Sequence, residues 1–405
     1  MTPSSLLCGW APAAGVAIAV LIVPAVPVAQ ATAAVVMRGL DSPRGLAFGP
    51  EGALYVTEAG RGPGAVASPA TDSRCFPGPA GGLTCYGATG AVSRLWRGEQ
   101  ERVATGLPSI AQPDGSRGTG PTDILVGRGH AYLTMGLEND PMRRSEFPQI
   151  PELADLASLV HLAASGQWRV ITDIGAYEAA NNPDGRLTDD GRPVLDTNPY
   201  GLVASRGGHL LTDAGSNTLL RVRANGDISL VAVFQSRGSN PPRPSFAPAP
   251  LSGTTDAVPT SVILGPDGAY YVSELTGVPF VDTRANVYRV VPADTPQMFF
   301  IQDACLTGFK MILDMAFDDE GNLYVLQHST GALQGMGPGV LIRVTPDKDQ
   351  SGICAQYRAG TRTTVLGGLS KPTSIAIGPD GAIYVTNKGT TMGGGEVLRL
   401  EPAAK

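Results

Sequence analysis

The chain has 405 residues, of which 42% are hydrophobic and only 16% charged, and its formal net charge is −6. No basic stripe is present to neutralise phosphates, which argues against a nucleic-acid binder. The 52 glycines and 34 prolines suit a fold built from many turns.

The first thirty-odd residues differ from the rest. Ala11 to Ala31 is an Ala/Val-rich apolar run followed by small residues, the pattern of a secretory signal and its cleavage site. The leading MTPSSLLCGW departs from that pattern, because it carries no Lys or Arg. Pro24, Pro27 and the modest length argue against a spanning helix, and no second apolar run of spanning length follows. Residues 1–33 are therefore read as a signal peptide and 34–405 as one secreted or extracytoplasmic domain, with no membrane span after leader removal.

From Ser42 onward one phrase recurs six times. Its best copies are SPRGLAFGPEGALYVTEAG (Ser42–Gly60), VPTSVILGPDGAYYVSELTG (Val258–Gly277) and KPTSIAIGPDGAIYVTNKG (Lys371–Gly389). Each is an apolar run, a Gly/Asp turn, a second apolar run and a polar exit, which predicts two antiparallel strands joined by a tight turn. A third strand follows with the pattern apolar-x-Arg-apolar, placing Arg94, Arg221, Arg289, Arg343 and Arg399 in one column, with His161 in the second unit. A fourth strand usually ends in glycine, as in RVATGL and RTTVLGGL. Four strands in each of six units predict an all-β, six-bladed β-propeller. The last unit stops after its third strand, while VVMRGLDSPRG (Val35–Gly45) matches VLGGLSKPTS (Val365–Ser374). The N-terminal strand is thus expected to complete the last blade and remove an exposed edge.

Strand direction puts most long insertions on one face: Gly60–Gly90, Asn139–Ala157 with a short helix in PELADLASL, Tyr177–Pro199 and Gln235–Ala257. Long loops on one rim are where binding sites usually sit. Cys75 and Cys85 share one of these loops and are expected to pair; Cys305 and Cys354 lie in adjacent blades, where a second disulfide is feasible. Three pairings of the four cysteines are conceivable from sequence.

Two columns of the repeat carry polar chemistry. At the exit of the second strand stand Glu58, Met135, Asp213, Glu274, Gln327 and Asn387; near the start of the first stand Gly45, Asp123, Gly201, Ser261, Asp314 and Ser374. Glu58 is expected to face Glu274, and Asp123 to face Asp314, across the central channel. Oxygen ligands converging there from Glu58, Asp123, Asp213, Glu274 and Asp314 could hold Ca²⁺. The same carboxylates could instead cap backbone N–H groups. The Arg column is read as structural, pairing with turn carboxylates. Hydrolase, zincin and P-loop signatures are missing, so no catalytic residue is assigned. The four histidines do not cluster in sequence, and only His328, beside Gln327, falls on the loop-rich face.

The phrases GLDSPRGLAFGPEGALYVTEAGRG, EAANNPDG, NPYGL, DAGSNTLLRV, VPTSV, ELTGVPF and NVYRV resemble the ScyD/ScyE family, named for proteins of the cyanobacterial scytonemin gene cluster. The resemblance runs from about Val35 to Pro402. It implies an exported propeller with NHL/SMP-30-like repeats and supplies no established reaction. By its motifs, Glu178, Asn181, Asn182, Asp184, Asn198 and Tyr200 join the candidate ligand-binding residues, beside Glu58, Asp213, Glu274, Gln327, His328 and Asn387. Two functions remain open. One is a monomer that binds a small molecule, glycan or protein partner on the loop-rich face. The other is a calcium-dependent, lactonase-like hydrolase with the ion on the axis and His328 or Glu274 as base.

Overall fold

The repeated phrase folds as expected because each copy alternates apolar residues about a turn that only glycine can close. In the first copy Gly49 N–H donates to Ala53 O at 2.8 Å and Gly52 N–H to Gly49 O at 2.9 Å, with Gly52 at φ 83°. Gly268 and Gly381 hold the same left-handed place at φ 77° and 73°. The computed structural model describes residues 33–78, 82–188, 190–235, 237–238, 254–277, 280, 284–331 and 337–401. The expected signal peptide, most of the Pro-rich loop before blade four and part of GMGPG lie outside these residues.

The strands form six sheets of four antiparallel strands each, some with an extra short strand, arranged as a ring of blades. Blade one, for example, runs Pro43–Phe48, Leu54–Glu58, Leu83–Trp96 and Glu99–Ala111 from the inner strand outward. Blade six takes three strands from the end of the chain and its outer strand, Ala33–Leu40, from the beginning. That strand pairs antiparallel with Gly395–Leu400, so the fold is a closed six-bladed β-propeller. Ala31–Lys405 is one compact unit.

Six buried hydrophobic clusters hold the ring together, and each draws on two neighbouring blades. Val92 and Leu107 of blade one meet Leu133 and Val160 of blade two. Met37 and Val397 of blade six meet Leu46 and Val56 of blade one. The other four clusters join blades two to three, three to four, four to five and five to six. The core is therefore distributed between blades, and closure buries the last interface as well as the first.

Both disulfides form, Cys75–Cys85 and Cys305–Cys354, which suits an oxidising compartment. Two members of the Arg column reach turn carboxylates, Arg289 contacting Asp267 at 2.6 Å and Arg399 contacting Asp380 at 2.8 Å, while Arg94 pairs with Glu101 of its outer strand. The helix expected in PELADLASL is a 3-10 turn, Pro151–Asp155, with proline at its first position. A longer helix, α1 (Ile174–Asn181), follows blade two and opens the insertion that leads to blade three. No helix among the described residues is long and apolar enough to cross a membrane.

Candidate functional site

Every first strand except that of blade six shows a register shift just inside its start, between Pro43 and Leu46, Pro121 and Asp123, Pro199 and Leu202, Pro259 and Val262, and Ile312 and Asp314. A shift of this kind leaves an N–H without a ladder partner. A hydroxyl one residue before the strand-two exit accepts it. Gly45 N–H donates to Thr57 Oγ1 at 2.8 Å, Asp123 N–H to Thr134 Oγ1 at 3.0 Å, and Gly201 N–H to Thr212 Oγ1 at 2.8 Å. Thr134 and Thr212 then donate to Tyr200 O and Thr260 O in the next blade, at 2.6 and 2.7 Å. The sequence displays this Thr/Ser position (YVTE, YLTM, LLTD, YVSE, YVTN), but its role emerges only when strand one is seen to bulge.

The neighbouring exit column is a set of backbone caps. Asp41 N–H donates to Glu58, Asn198 N–H to Asp213, Lys310 N–H to Gln327 and Ser370 N–H to Asn387, all between 2.6 and 2.7 Å. Glu58 also accepts from Ser93 Oγ at 2.6 Å and from Arg102 Nε and a terminal guanidinium nitrogen at 2.9 and 2.6 Å. Asp213 accepts further from Thr197 Oγ1, Gly215 N–H and Ser216 N–H. A carboxylate has about four acceptor positions; Glu58 receives four donors, while three of the four at Asp213 share Oδ1 and Oδ2 receives one. Glu58 is drawn toward the outer strands of its blade, away from the channel. Glu274 is fully buried at the end of its strand.

Asp123 and Asp314 do share the channel. Asp314 accepts from Ser261 Oγ at 2.7 Å, Ser374 Oγ at 2.6 Å, Ile375 N–H at 3.0 Å and Met315 N–H at 2.8 Å, tying blades four, five and six. Asp123 accepts from Ile124 and Leu202 N–H, both at 2.8 Å. Burial raises the pKa of both, and the charge of Asp314 raises that of Asp123 further. Gly45 is glycine because a Cβ there would stand 2.5 Å from Asp123 Oδ1 and 2.7 Å from its Cα.

Charged side chains from several blades act on Tyr200 and His328. Arg44 donates to the carbonyls of Gly389, Pro43 and, at 2.6 Å, Gly118. Its charge acts on both Tyr200 and His328. His328 Nδ1 bonds the Pro372 carbonyl at 2.9 Å, which fixes Nδ1 as donor and leaves Nε2 a lone pair. Burial, with Lys371, Arg44 and Arg117 nearby, pushes His328 down to about 4, so the ring is neutral at physiological pH. Burial raises the pKa of Tyr200, and Glu138, Asp123 and Asp314 add to the rise. Sequence reasoning placed His328 and Tyr200 on the loop-rich face and missed Arg44, Arg117, Glu138 and Lys371. Arg117 and Glu138 lie in loops between copies of the repeat, and Lys371 opens the sixth copy at a position that neither polar column includes.

The motif EAANNPDG forms the end of α1 and the turn after it. Glu178 is 1% exposed. Burial pushes it up to about 9, helped by the charges of Asp213, Asp184 and Asp196. Asp196, which the sequence reading did not select, is pushed up to about 7 by burial and by Asp213. Asp184 accepts from Asn217 Nδ2 at 2.9 Å and Arg186 N–H at 3.1 Å. Arg186 pairs with Asp256 at 3.4 Å. Asn182 caps α1 in the left-handed region at φ 38° and donates Nδ2–H to Arg186 O at 3.0 Å. Asn181 is exposed and bonds Tyr177 O, while Asn198 Oδ1 accepts Leu137 N–H at 3.2 Å.

Two other features complete the surface. A cleft of about 780 Å³ between the blade-two insertion and α1 is walled by Pro141, Met142, Phe147, Pro148, Ala176 and Ala180. The arginine at its edge, Arg144, is committed to Asp173 and to the carbonyls of Pro141, Ala154 and Leu156. On the strand-turn side, His130, His161 and His209 surround Tyr132, with ring centroids 5.4 to 5.5 Å from Tyr132 for the first two and 4.1 Å for the third. Three histidines that are scattered in sequence therefore meet where blades two and three adjoin.

No family model matches the chain, and no curated protein matches it. Among solved structures it is similar to a putative oxidoreductase (glucose dehydrogenase) from Thermus thermophilus, at 18% identity over 92% of this chain and 100% of that one, TM-score 0.36. Regucalcin, a calcium-binding protein from Agrobacterium tumefaciens, shows 14% identity over 92% and 94%, TM-score 0.42. Virginiamycin B lyase from Staphylococcus aureus shows 10% over 92% and 99%, TM-score 0.40. Likenesses of this strength say nothing about a shared activity.

Proposed function

We propose that this chain is an exported, monomeric propeller of the ScyD/ScyE type whose loop-rich channel mouth binds a small anionic molecule. One observation carries the reading. A protein of net charge −6 sets the charges of Arg44, Arg117 and Lys371 on a neutral, half-buried His328, and that of Arg44 on Tyr200 as well. A carboxylate- or phosphate-bearing ligand would find charge-assisted donors there, an orienting hydrogen-bond partner in the imidazole Nε2, and an aromatic wall. Two disulfides support export.

The axial calcium-dependent hydrolase fares less well. Glu58 is occupied by four donors, and Asp213 already caps the Asn198 amide and accepts from Thr197. A histidine with a pKa of about 4 is a weak general base at neutral pH. Thermal-shift screening at low salt tests the choice, with sugar acids, phosphorylated sugars and their neutral parents. Acidic compounds should raise the melting temperature of the wild type, and Arg117→Ala with Lys371→Ala should abolish the response. Stabilisation by neutral sugars alone, or turnover of lactones with no anion binding, would overturn the reading.

A further inference from the structure

We propose a divalent-cation site for calcium in the insertion before blade three, built from the carboxylates of Glu178 and Asp196 and the side-chain oxygen of Asn182. It lies apart from the axis, and it does not depend on what the channel mouth binds.

The local hydrogen-bond balance points there. Among the described residues, the buried atoms of this insertion that lack a hydrogen-bond partner are Glu178 Oε1 and Oε2, Asn182 Oδ1 and Asp196 Oδ1. All four are acceptors, and no orphaned donor lies among them. The Asp196 N–H lies toward Glu178 and favours its ionised form, yet neither Glu178 oxygen has a donor in full hydrogen-bond geometry. Among the neighbouring groups, Asp184 and Asp213 are carboxylates already supplied with donors, and the Arg186 guanidinium, paired with Asp256, offsets only part of the rise at Asp196. Burying an ionised carboxylate without a donor or counter-charge is strongly unfavourable. A region with surplus oxygen acceptors and surplus negative charge is what a hard cation requires.

The local fold brings these residues into one stretch of the insertion. Asn182 follows Glu178 by one helical turn, and its N–H closes the helix on Glu178 O at 2.8 Å. Asp196 approaches from the other arm of the insertion, close enough for its charge and its amide to act on Glu178. No group of three histidine, cysteine or acidic side chains converges as a metal cage among the described residues. Calcium sites, however, draw as readily on amide, carbonyl and water oxygens, and here two carboxylates and one amide provide the protein's share.

Chelator-treated mature protein would be titrated with CaCl2 by calorimetry at pH 8, with parallel melting curves. The expected result is a single site, a melting temperature raised by several degrees, and proton release that varies with pH as Glu178 and Asp196 give up protons. Glu178→Gln and Asp196→Asn should each weaken calcium binding at least tenfold. Glu178→Gln should also raise the melting temperature of the calcium-free protein, which shows that the variant folds. Absence of a calcium isotherm in the wild type, or one unchanged in a folded Glu178→Gln protein, overturns the proposal and leaves Glu178 as a carboxyl group held by its proton.

Discussion

Glu58 accepts hydrogen bonds from a backbone amide, a serine and two nitrogens of Arg102, and its side chain is 0% exposed. Removing it would leave Arg102, 41% exposed, with Asp41 as its partner and free the Asp41 amide and the Ser93 hydroxyl. Glu58→Ala should therefore destabilise the fold by about 2 kcal/mol, the scale for leaving buried polar groups unsatisfied, as measured by urea unfolding. Its calcium isotherm should match the wild type; lost binding with normal stability would return Glu58 to the ligands. The sequence marked Glu58 as a column residue and candidate cation ligand, whereas Glu178 entered only through the family resemblance. What separates them is the supply of donors. Ser93 and Arg102 lie 35 and 44 residues from Glu58, and their proximity depends on blade pairing. Asp196 was illegible for the same reason: it belongs to no repeat column and meets Glu178 only through the path of the insertion.

The strands, the turns and the closing N-terminal strand were legible because each repeats a local pattern, and pattern is what a sequence displays directly. Insertions obey no period, which is why the 3-10 turn at Pro151–Asp155 replaced an expected helix and why the cation-facing loop was found only in part. The disulfides fall between these cases, with partners set by blade adjacency. They also differ in how far along the chain they reach. Cys75–Cys85 spans 10 residues and Cys305–Cys354 spans 49. By loop-closure entropy the first should contribute about 3 kcal/mol and the second about 4 kcal/mol. Paired serine substitutions at 305 and 354 should thus lower the unfolding midpoint more than those at 75 and 85. The reverse order would mean that the short disulfide braces its hairpin against Leu83–Trp96 rather than acting through the unfolded chain.

Across the whole molecule, buried ionisable groups make stability a function of pH. Glu178, raised from 4.5 to about 9, and Asp196, raised from 3.8 to about 7, hold protons in the folded state that the unfolded chain releases. Their contribution is complete at acid pH and is lost as pH climbs through those windows. Asp123 and Asp314, also raised by burial, act in the same direction. His328 has the opposite sign. Lowered from 6.5 to about 4, it stays neutral when folded, so its contribution is present above 6.5 and lost as pH falls toward 4. Chelator-treated protein followed by circular dichroism should therefore melt at progressively lower temperature from pH 7 to 9, where Glu178 still titrates and His328 and most of Asp196 no longer do. Glu178→Gln should flatten that alkaline limb, and saturating calcium should flatten it in the wild type by holding the carboxylates in their ionised form. His328→Gln should leave the alkaline limb alone and, by removing a contribution of opposite sign, make the melting temperature rise more steeply as the pH falls from 6.5 toward 4. An alkaline limb that persists in Glu178→Gln would transfer the effect to the Asp123–Asp314 pair on the axis, where the like charges of two blades meet.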